Sequence, residues 1–340
     1  MIHLVISTPG TCIGKKSERL VVRTKRSEEK TDIKEIPLFR IGHITIESRG
    51  VGISTDVLEA CTIRGISISF ITKSGDPWGI LTSPFLTKTV KTRRAQFEAY
   101  RDRRSVTLAK EWASTKIYNQ RSLLLYYSKY LKKDSKPIIK DINSAVEKLS
   151  VYERSLSAID GSCIDDIRDQ LMGIEGATSA VYWDAVSCIT GKEVFQGRET
   201  RGARDPFNSC LNYGYGILYS SVASCLLRSG LDPFAGFVHA DRPGKPSLVF
   251  DFIEEFRQPI VDRAVISLFN KKTDAVTLIN GLLDESSRKT VAARVLSKFD
   301  SEVLWHGHKI SMAAVMQRQA RLIASFLRGE SVYRGYRFKW

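Results

Sequence analysis

Residues 91–132 read KTRRAQFEAYRDRRSVTLAKEWASTKIYNQRSLLLYYSKYLK, and this stretch divides the chain into two textures. It holds no Gly or Pro, and Phe97, Val106, Ala109, Ala113, Ile117, Leu124, Tyr127 and Leu131 recur at helical spacing. One long helix or two abutting helices are expected. Upstream, short segments rich in Val, Ile and Thr (His3–Ser7, Arg19–Thr24, Ile44–Glu47, Ile63–Ile71) alternate with turn-formers such as Pro9-Gly10 and Ser74-Gly75-Asp76-Pro77. That alternation predicts about six to nine strands, with a helical turn or two at Ser54–Ala60 that Ser54 or Thr55 can cap. Downstream, helices are expected over Ile138–Leu156, Cys163–Ile189, Pro206–Arg228, Ser247–Asn270, 274–296 and 311–328, with a Gly/Arg loop over Gly191–Asp205. Asp205-Pro206 supplies an N-cap and a first-turn proline. The expected class is α+β with two domains: a small β-rich domain over 1–88 and a larger all-helical one over 89–340.

The chain has 340 residues, 43% apolar and 26% charged, an ordinary globular composition with enough length for a sizeable core. No run approaches a membrane span, and Met1–Gly10 has no basic residue ahead of its apolar stretch, unlike a secretory signal. A cytoplasmic protein without a membrane partner is expected. Fifty-two Lys and Arg face thirty-seven Asp and Glu, a net charge of +15. Residues 91–140 carry fourteen basic and four acidic side chains, and 311–340 carry six and one. Charge clustered in this way favours a nucleic-acid partner. Cys12, Cys61, Cys163, Cys188, Cys210 and Cys225 form no CxxC pair, so reduced thiols are expected and a zinc knuckle is excluded. Neither a GxGxxG nor a GxxxxGK[ST] loop follows a strand, which disfavours a dehydrogenase or kinase.

Three features carry chemistry. Glu175 stands between Gly173 and Gly176 inside a helical pattern, and small neighbours there would let another element or a phosphate backbone approach the carboxylate. The alternative is a surface Glu at a loosened packing site. In the 247–270 segment Asp251 and Glu254, three apart on one helix face, interrupt an apolar run together with Glu255. Burying them demands a cation, either Arg257, Arg263 or a metal; the alternative is a solvated acidic face. His239, in the loop ahead of that helix, could fold back beside Asp251 or Glu254. One imidazole and two carboxylates suit Mg²⁺ or Mn²⁺.

These residues belong to a longer ordered pattern. It comprises Glu175-Gly176-Ala177 with Tyr182, then Arg198, Arg201, Asp205-Pro206-Phe207-Asn208 and Tyr213-Gly214-Tyr215. Gly230-Leu231-Asp232-Pro233, Gly236 and His239 follow, and Leu248–Phe252 with Glu254-Glu255-Phe256-Arg257 close it. The pattern resembles that of the CRISPR-associated spacer integrases, the universal endonucleases of CRISPR adaptation. The resemblance implies a divalent metal, Mg²⁺ or Mn²⁺, held by Glu175, His239 and Glu254, with Asp251 as a supporting acidic residue. Where some members have Asp, Glu254 adds a methylene. It further implies a homodimer formed through the β-rich domains and a small ferredoxin-like adaptation partner. The implied substrate is double-stranded DNA, a spacer precursor joined to a CRISPR repeat by 3′-hydroxyl transesterification.

Within that reading Arg93, Arg94, Arg101, Arg103, Arg104, Lys110 and Lys116 are expected to track phosphates, and Arg198, Arg201 and Arg204 to grip the scissile region. A general branched-DNA repair or recombination nuclease and a non-catalytic duplex-binding protein are the alternatives. His306-Gly307-His308 lacks an acidic neighbour before Glu302, and His3 and His43 are expected to be structural. Tyr213, Tyr215 and Tyr219 are read as packing residues first. The aromatic and basic C-terminal run either touches a partner or closes the fold.

Overall fold

A computed structural model describes residues 2–25, 31–83, 89–131, 136–200, 202–271 and 276–339. Among the described residues, eight strands, one α-helix and a short 3-10 turn (Leu38–Arg40) form the first part. They are β1 (Ile2–Ile6), β2 (Cys12–Lys16), β3 (Arg19–Lys25), β4 (Thr31–Pro37), β5 (Ile41–Ile46), β6 (Gly52–Ile53), α1 (Thr55–Ile63), β7 (Ser67–Ile71) and β8 (Pro77–Leu81). They make two four-stranded sheets, β1-β5-β7-β8 and β4-β3-β2-β6. In the first, β1, β5 and β7 are parallel and β8 is antiparallel. The inward rows of both sheets, Leu4, Ile6, Ile44, Ile46 and Ile68 against Ile13, Leu20, Val22 and Ile36, share one core with Val57 and Cys61 of α1. The strand count falls within the expected range. The helix runs on to Ile63, so the expected Ile63–Ile71 strand is shortened to Ser67–Ile71.

The second part holds α2 (Thr89–Ala99), α3 (Arg103–Ser128), α4 (Lys136–Ser155), α5 (Arg168–Thr190), α6 (Pro206–Arg228), α7 (Ser247–Ile253), α8 (Arg263–Lys271), α9 (Glu285–Phe299) and α10 (Met312–Leu327). The 91–132 stretch is two abutting helices, separated where Asp102 caps α3 by accepting the Arg104 N–H at 2.8 Å. A separate hydrophobic core runs from Ile71 to Phe338, with α6 buried along most of its length.

Two expectations need correction. The second part is not all-helical: hairpins β9–β10 (Leu278–Ile279, Leu282–Leu283) and β11–β12 (Glu302–Trp305, His308–Ser311) interrupt it. Positive φ angles at Asn280 and Gly281, and at His306 and Gly307, make two-residue turns of the hairpin type, so His306 sits in a turn and His308 opens the strand after it. The expected continuous helix over Ser247–Asn270 is also broken. After α7 the chain turns and widens into a π-helical segment, Arg257–Asp262, before α8. Pro259 lies within it, lacks an N–H and crowds the preceding turn.

Strand and helix parts dock closely at Gly216 of α6. A β-carbon there would sit 2.0 Å from the Gly75 carbonyl oxygen in the β7–β8 turn. Gly75 itself adopts φ +95°, the left-handed region that glycine tolerates. Nearby, buried Glu47 at the end of β5 accepts a hydrogen bond from Tyr213 Oη at 2.6 Å and pairs with Arg288 of α9.

Candidate active site

Glu175 lies midway along α5 and Glu254 just past α7, and both carboxylates reach the same ammonium. Lys116 Nζ of α3 is 2.6 Å from Glu175 Oε1 and 2.9 Å from Glu254 Oε2. Lys116 is 7% exposed, so two anionic oxygens answer a charge that burial would otherwise penalise heavily. Burial raises the Glu175 pKa, but the Lys116 charge and hydrogen bond, then the nearby His239 and Arg257 charges, outweigh it and carry the carboxyl down to about 2. For Lys116 burial works downward, and the charges of Glu175 and Glu254 overcome it to raise the pKa. Arg257 Nε approaches Glu254 Oε1 at 2.9 Å from the other side.

His239 is oriented by Asp251. The Asp251 carboxylate accepts the backbone N–H groups of Phe237 (2.6 Å), Val238 (3.1 Å) and His239 (2.9 Å). Its Oδ1 also accepts His239 Nδ1–H at 2.7 Å, which leaves Nε2 as the free lone pair. Burial lowers the imidazole pKa, but the hydrogen bond and charge of Asp251, followed by Glu175 and Glu254, raise it overall. The loop can fold this tightly because Gly236 meets the start of α7: a β-carbon there would lie 2.6 Å from Ser247 Cβ. Ser247 Oγ then ties Phe234 O at 2.7 Å and Asp241 Oδ1 at 2.8 Å.

Glu175, His239, Asp251 and Glu254 therefore line one small cavity together with Lys116 and Trp112. The solvated acidic face is overturned: Asp251, Glu254 and Glu255 are all buried. Glu255 points away from this cavity and accepts from Tyr333 Oη, Gln319 Nε2 (3.0 Å) and the Tyr336 N–H (3.0 Å). The C-terminal run thus closes the fold. Of the two approaches read for the glycines beside Glu175, that of a packed element is absent among the described residues. No atom lies within 4 Å of a β-carbon built at Gly173 or Gly176, so they leave bare helix surface and seat no packed element.

The donor set tests the fit of a divalent cation. Among the described residues no three His, Cys, Asp or Glu side chains already close into a metal-ready group, and Lys116 occupies the gap between the carboxylates. Yet a cation is what the two carboxylates converge on, and the Nε2 lone pair opens on the same cavity. Two carboxylate oxygens and a neutral imidazole fit Mg²⁺ or Mn²⁺ once the ammonium is displaced.

A larger groove adjoins this cavity, lined in part by Arg198, Thr200, Tyr215, Tyr219, Phe250 and Arg257. Two guanidiniums lie over the Tyr215 ring, Arg257 at 4.8 Å and Arg198 at 5.4 Å from its centroid. Its hydroxyl donates to buried Asp262, which also accepts Tyr182 Oη at 2.8 Å. Phe250 packs 5.7 Å from the His239 ring and 5.6 Å from Tyr219.

The basic residues separate into distinct environments. Arg94, Arg101 and Arg204 are exposed, and Arg93 is half-buried. Arg101 borders a surface depression shared with Gly236 and Asp241, beside the His239 loop. Arg198 faces the groove, held by Asn208 Oδ1 (3.0 Å) and Asn212 Oδ1 (2.6 Å). Arg104 is structural, paired with Asp102 at 2.6 Å and donating to the Leu327 carbonyl. Arg103 pairs with Asp160, and Lys110 donates to backbone carbonyls. Lys116 belongs to the cavity. Arg201 lies outside the described residues.

Arg257, one of the cations expected to answer Asp251 and Glu254, pairs with Glu254. Lys116 was expected among the phosphate-tracking residues; its place after Ala109 and Trp112 on the buried stripe of α3, where an unpartnered lysine has no place, was the sign of its role in the cavity. Asp262 was not singled out by the sequence.

Comparison with known proteins gives the arrangement its relatives. The family CRISPR associated protein Cas1 matches residues 4–296. CRISPR-associated endonuclease Cas1 1 of Archaeoglobus fulgidus is 33% identical over 356 residues, covering all of both chains. Its namesake in Francisella tularensis subsp. novicida is 32% identical, again over the whole of both. A solved casposase bound to integration product superposes with a TM-score of 0.82 at 22% identity, over 100% of this chain and 94% of that one; this likeness concerns the fold. With the family match spanning both the strand-rich part and the cavity residues, the chain belongs to the CRISPR-associated Cas1 family.

Proposed function

We propose that this protein is a divalent-metal-dependent DNA endonuclease and strand-transferase that inserts short duplex DNA into a CRISPR repeat array. One observation carries the reading: carboxylates from two separate helices converge on a single cationic group, in the cavity that also receives an imidazole oriented by a third carboxylate. The endonuclease names of the full-length relatives, and the fold shared with a casposase bound to its integration product, agree with it.

In strand transfer, a 3′-hydroxyl attacks a target phosphodiester. A P–O bond forms to the incoming oxygen as the bond to the target's own 3′-oxygen breaks, and that oxygen leaves as a hydroxyl after taking up a proton. Water in place of the 3′-hydroxyl gives hydrolysis. Glu175, His239 Nε2 and Glu254 would hold Mg²⁺ or Mn²⁺, which when bound polarises the phosphate and lowers the pKa of the attacking hydroxyl. Asp251 fixes the imidazole tautomer and the loop that carries it. Lys116 balances the carboxylates when the cation is absent. Arg198 and Arg257 offer fork-shaped donors to phosphate oxygens in the groove, while Phe250 and Tyr219 offer ring faces to bases. Exposed Arg94, Arg101 and Arg204, with half-buried Arg93, extend the phosphate-binding surface.

In this reading residues 1–88 form a dimerisation domain and 89–340 a catalytic and DNA-binding domain, with a homodimer and a small ferredoxin-like partner around the duplex. Glu175→Ala, His239→Ala and Glu254→Ala are each expected to reduce strand transfer to background while duplex binding in gel shift persists. Transfer retained by all three would remove this cavity from the chemistry.

A further inference from the structure

A second cavity lies on the seam between the strand and helix parts, and it shares no residue with the one around Glu175. His3 and His43 face it from β1 and β5, and Arg228 faces it from the end of α6. Gln317, Arg318 and Arg321 face it from α10. Its volume, about 290 Å³, is at the small end of ligand-binding cavities.

The polar groups of this cavity are under-used. His43 is 5% exposed, and neither of its ring nitrogens has a hydrogen-bond partner among the described residues. Buried polar groups are seldom left so. His3, its edge-on neighbour at 4.7 Å, is by contrast satisfied by Thr45 Oγ1 at 2.8 Å and Ser221 Oγ at 3.2 Å. Gln317 Nε2 reaches the Cys225 carbonyl at 3.3 Å and Ser229 Oγ at 3.0 Å, leaving Oε1 without a partner. Among the described residues Arg228 Nε is likewise buried and without a hydrogen-bond partner, and Arg228 Nη2 reaches the Cys225 sulfur at 3.6 Å.

Charge points the same way. Among the described residues three guanidiniums line the cavity and no carboxylate does. Burial, then the neighbouring His3 and Arg228, hold the His43 imidazole neutral, so it presents one N–H and one lone pair. Ile2, Phe299 and Met316 supply apolar wall.

We propose that this cavity binds a small organic phosphate of about mononucleotide size. Arg228 and the His43 N–H would take the phosphate, Arg318 and Arg321 would screen it at the mouth, and the apolar wall would receive the body. Arginine is the residue suited to forked phosphate contacts. A free nucleotide and the terminal phosphate of a DNA strand present the same group. The inference does not depend on the chemistry assigned to the Glu175 cavity.

The test uses the full chain labelled with ¹⁵N-histidine, with the His43 ring resonances assigned from His43→Asn. Adenosine 5′-monophosphate, inorganic phosphate, adenosine, and a short duplex with and without a 5′-phosphate are titrated separately. A saturable shift of the His43 resonance by adenosine 5′-monophosphate but not adenosine is expected at millimolar or lower concentrations. Affinity should fall about tenfold or more in Arg228→Gln, the worth of one charged hydrogen bond, and be kept in Glu175→Ala. If Arg228→Gln fails to fold, the exposed pair Arg318→Gln/Arg321→Gln is expected to weaken the same shift. A response to the 5′-phosphorylated duplex alone assigns the phosphate to a nucleic-acid end. A resonance indifferent to every phosphate-bearing probe, or equally moved by adenosine, overturns the proposal.

Discussion

A lysine that is 7% exposed must be answered by anionic oxygens, and Lys116 is answered by two from different helices. Removing one side of a buried ion pair leaves uncompensated charge and costs about 3–5 kcal/mol. Lys116→Met is therefore expected to lower stability by about that amount in EDTA, measured by urea unfolding. Mn²⁺ should restore much of it, because a cation bound only to the folded state stabilises that state by mass action. Wild-type stability in EDTA with no response to Mn²⁺ would contradict the proposed occupancy of this site. Glu175, His239, Asp251 and Glu254 were legible in the sequence because charged residues inside apolar patterns stand out. That Lys116 closes the circle was not, since its partner carboxylates lie on α5 and beyond α7 and local spacing says nothing of who meets whom. The glycines beside Glu175 show the same limit: a small residue signals close approach or open space alike, and only the surroundings decide.

At the scale of elements, the strand-rich beginning, the long α3 and the proline-started α6 all follow from local pattern. The hairpins after α8 and α9 did not, because two- to four-residue strands are shorter than the alternation needed to announce them. The break after α7 had a visible cause in Pro259 that the apolar periodicity outweighed. Docking of the β7–β8 turn onto α6 hangs on a missing side chain. Gly216→Ala would push a methyl against the Gly75 backbone, and a cost of about 1–3 kcal/mol is expected from such overpacking. Unfolding by urea checks it, and an unchanged midpoint would show that the turn moves freely.

Across the whole molecule, the seam between strand and helix parts carries a pH dependence of definite sign. Burial takes the His3 pKa down from 6.5 to about 3 and lowers that of His43 as well. Below pH 6.5 the unfolded chain therefore binds protons that the folded one refuses. The stabilisation is complete above 6.5 and is lost as the pH falls toward 3. Denaturation midpoints measured from pH 7 to pH 4 should fall, and less steeply in His43→Asn; a flat profile would mean that the seam admits protonated imidazoles. The +15 charge makes a second prediction at this scale. If about six phosphates are neutralised per protomer, log affinity for duplex DNA should fall with log salt at a slope near −5, and a nearly flat response would reduce the basic surface to a solubilising one.

No helix among the described residues is long and apolar enough to cross a membrane, and the features that stand out across the chain are the basic surface and the carboxylate–imidazole cavity. The central claim is that this cavity works through a divalent cation. The purified protein should be assayed, with the proposed small partner, on a short duplex with free 3′ ends and a repeat-containing target, in Mn²⁺ and in EDTA. Joined products in Mn²⁺, absent in EDTA and absent for Glu175→Ala in either condition, are the predicted result. Joining in EDTA at the Mn²⁺ level would contradict the account.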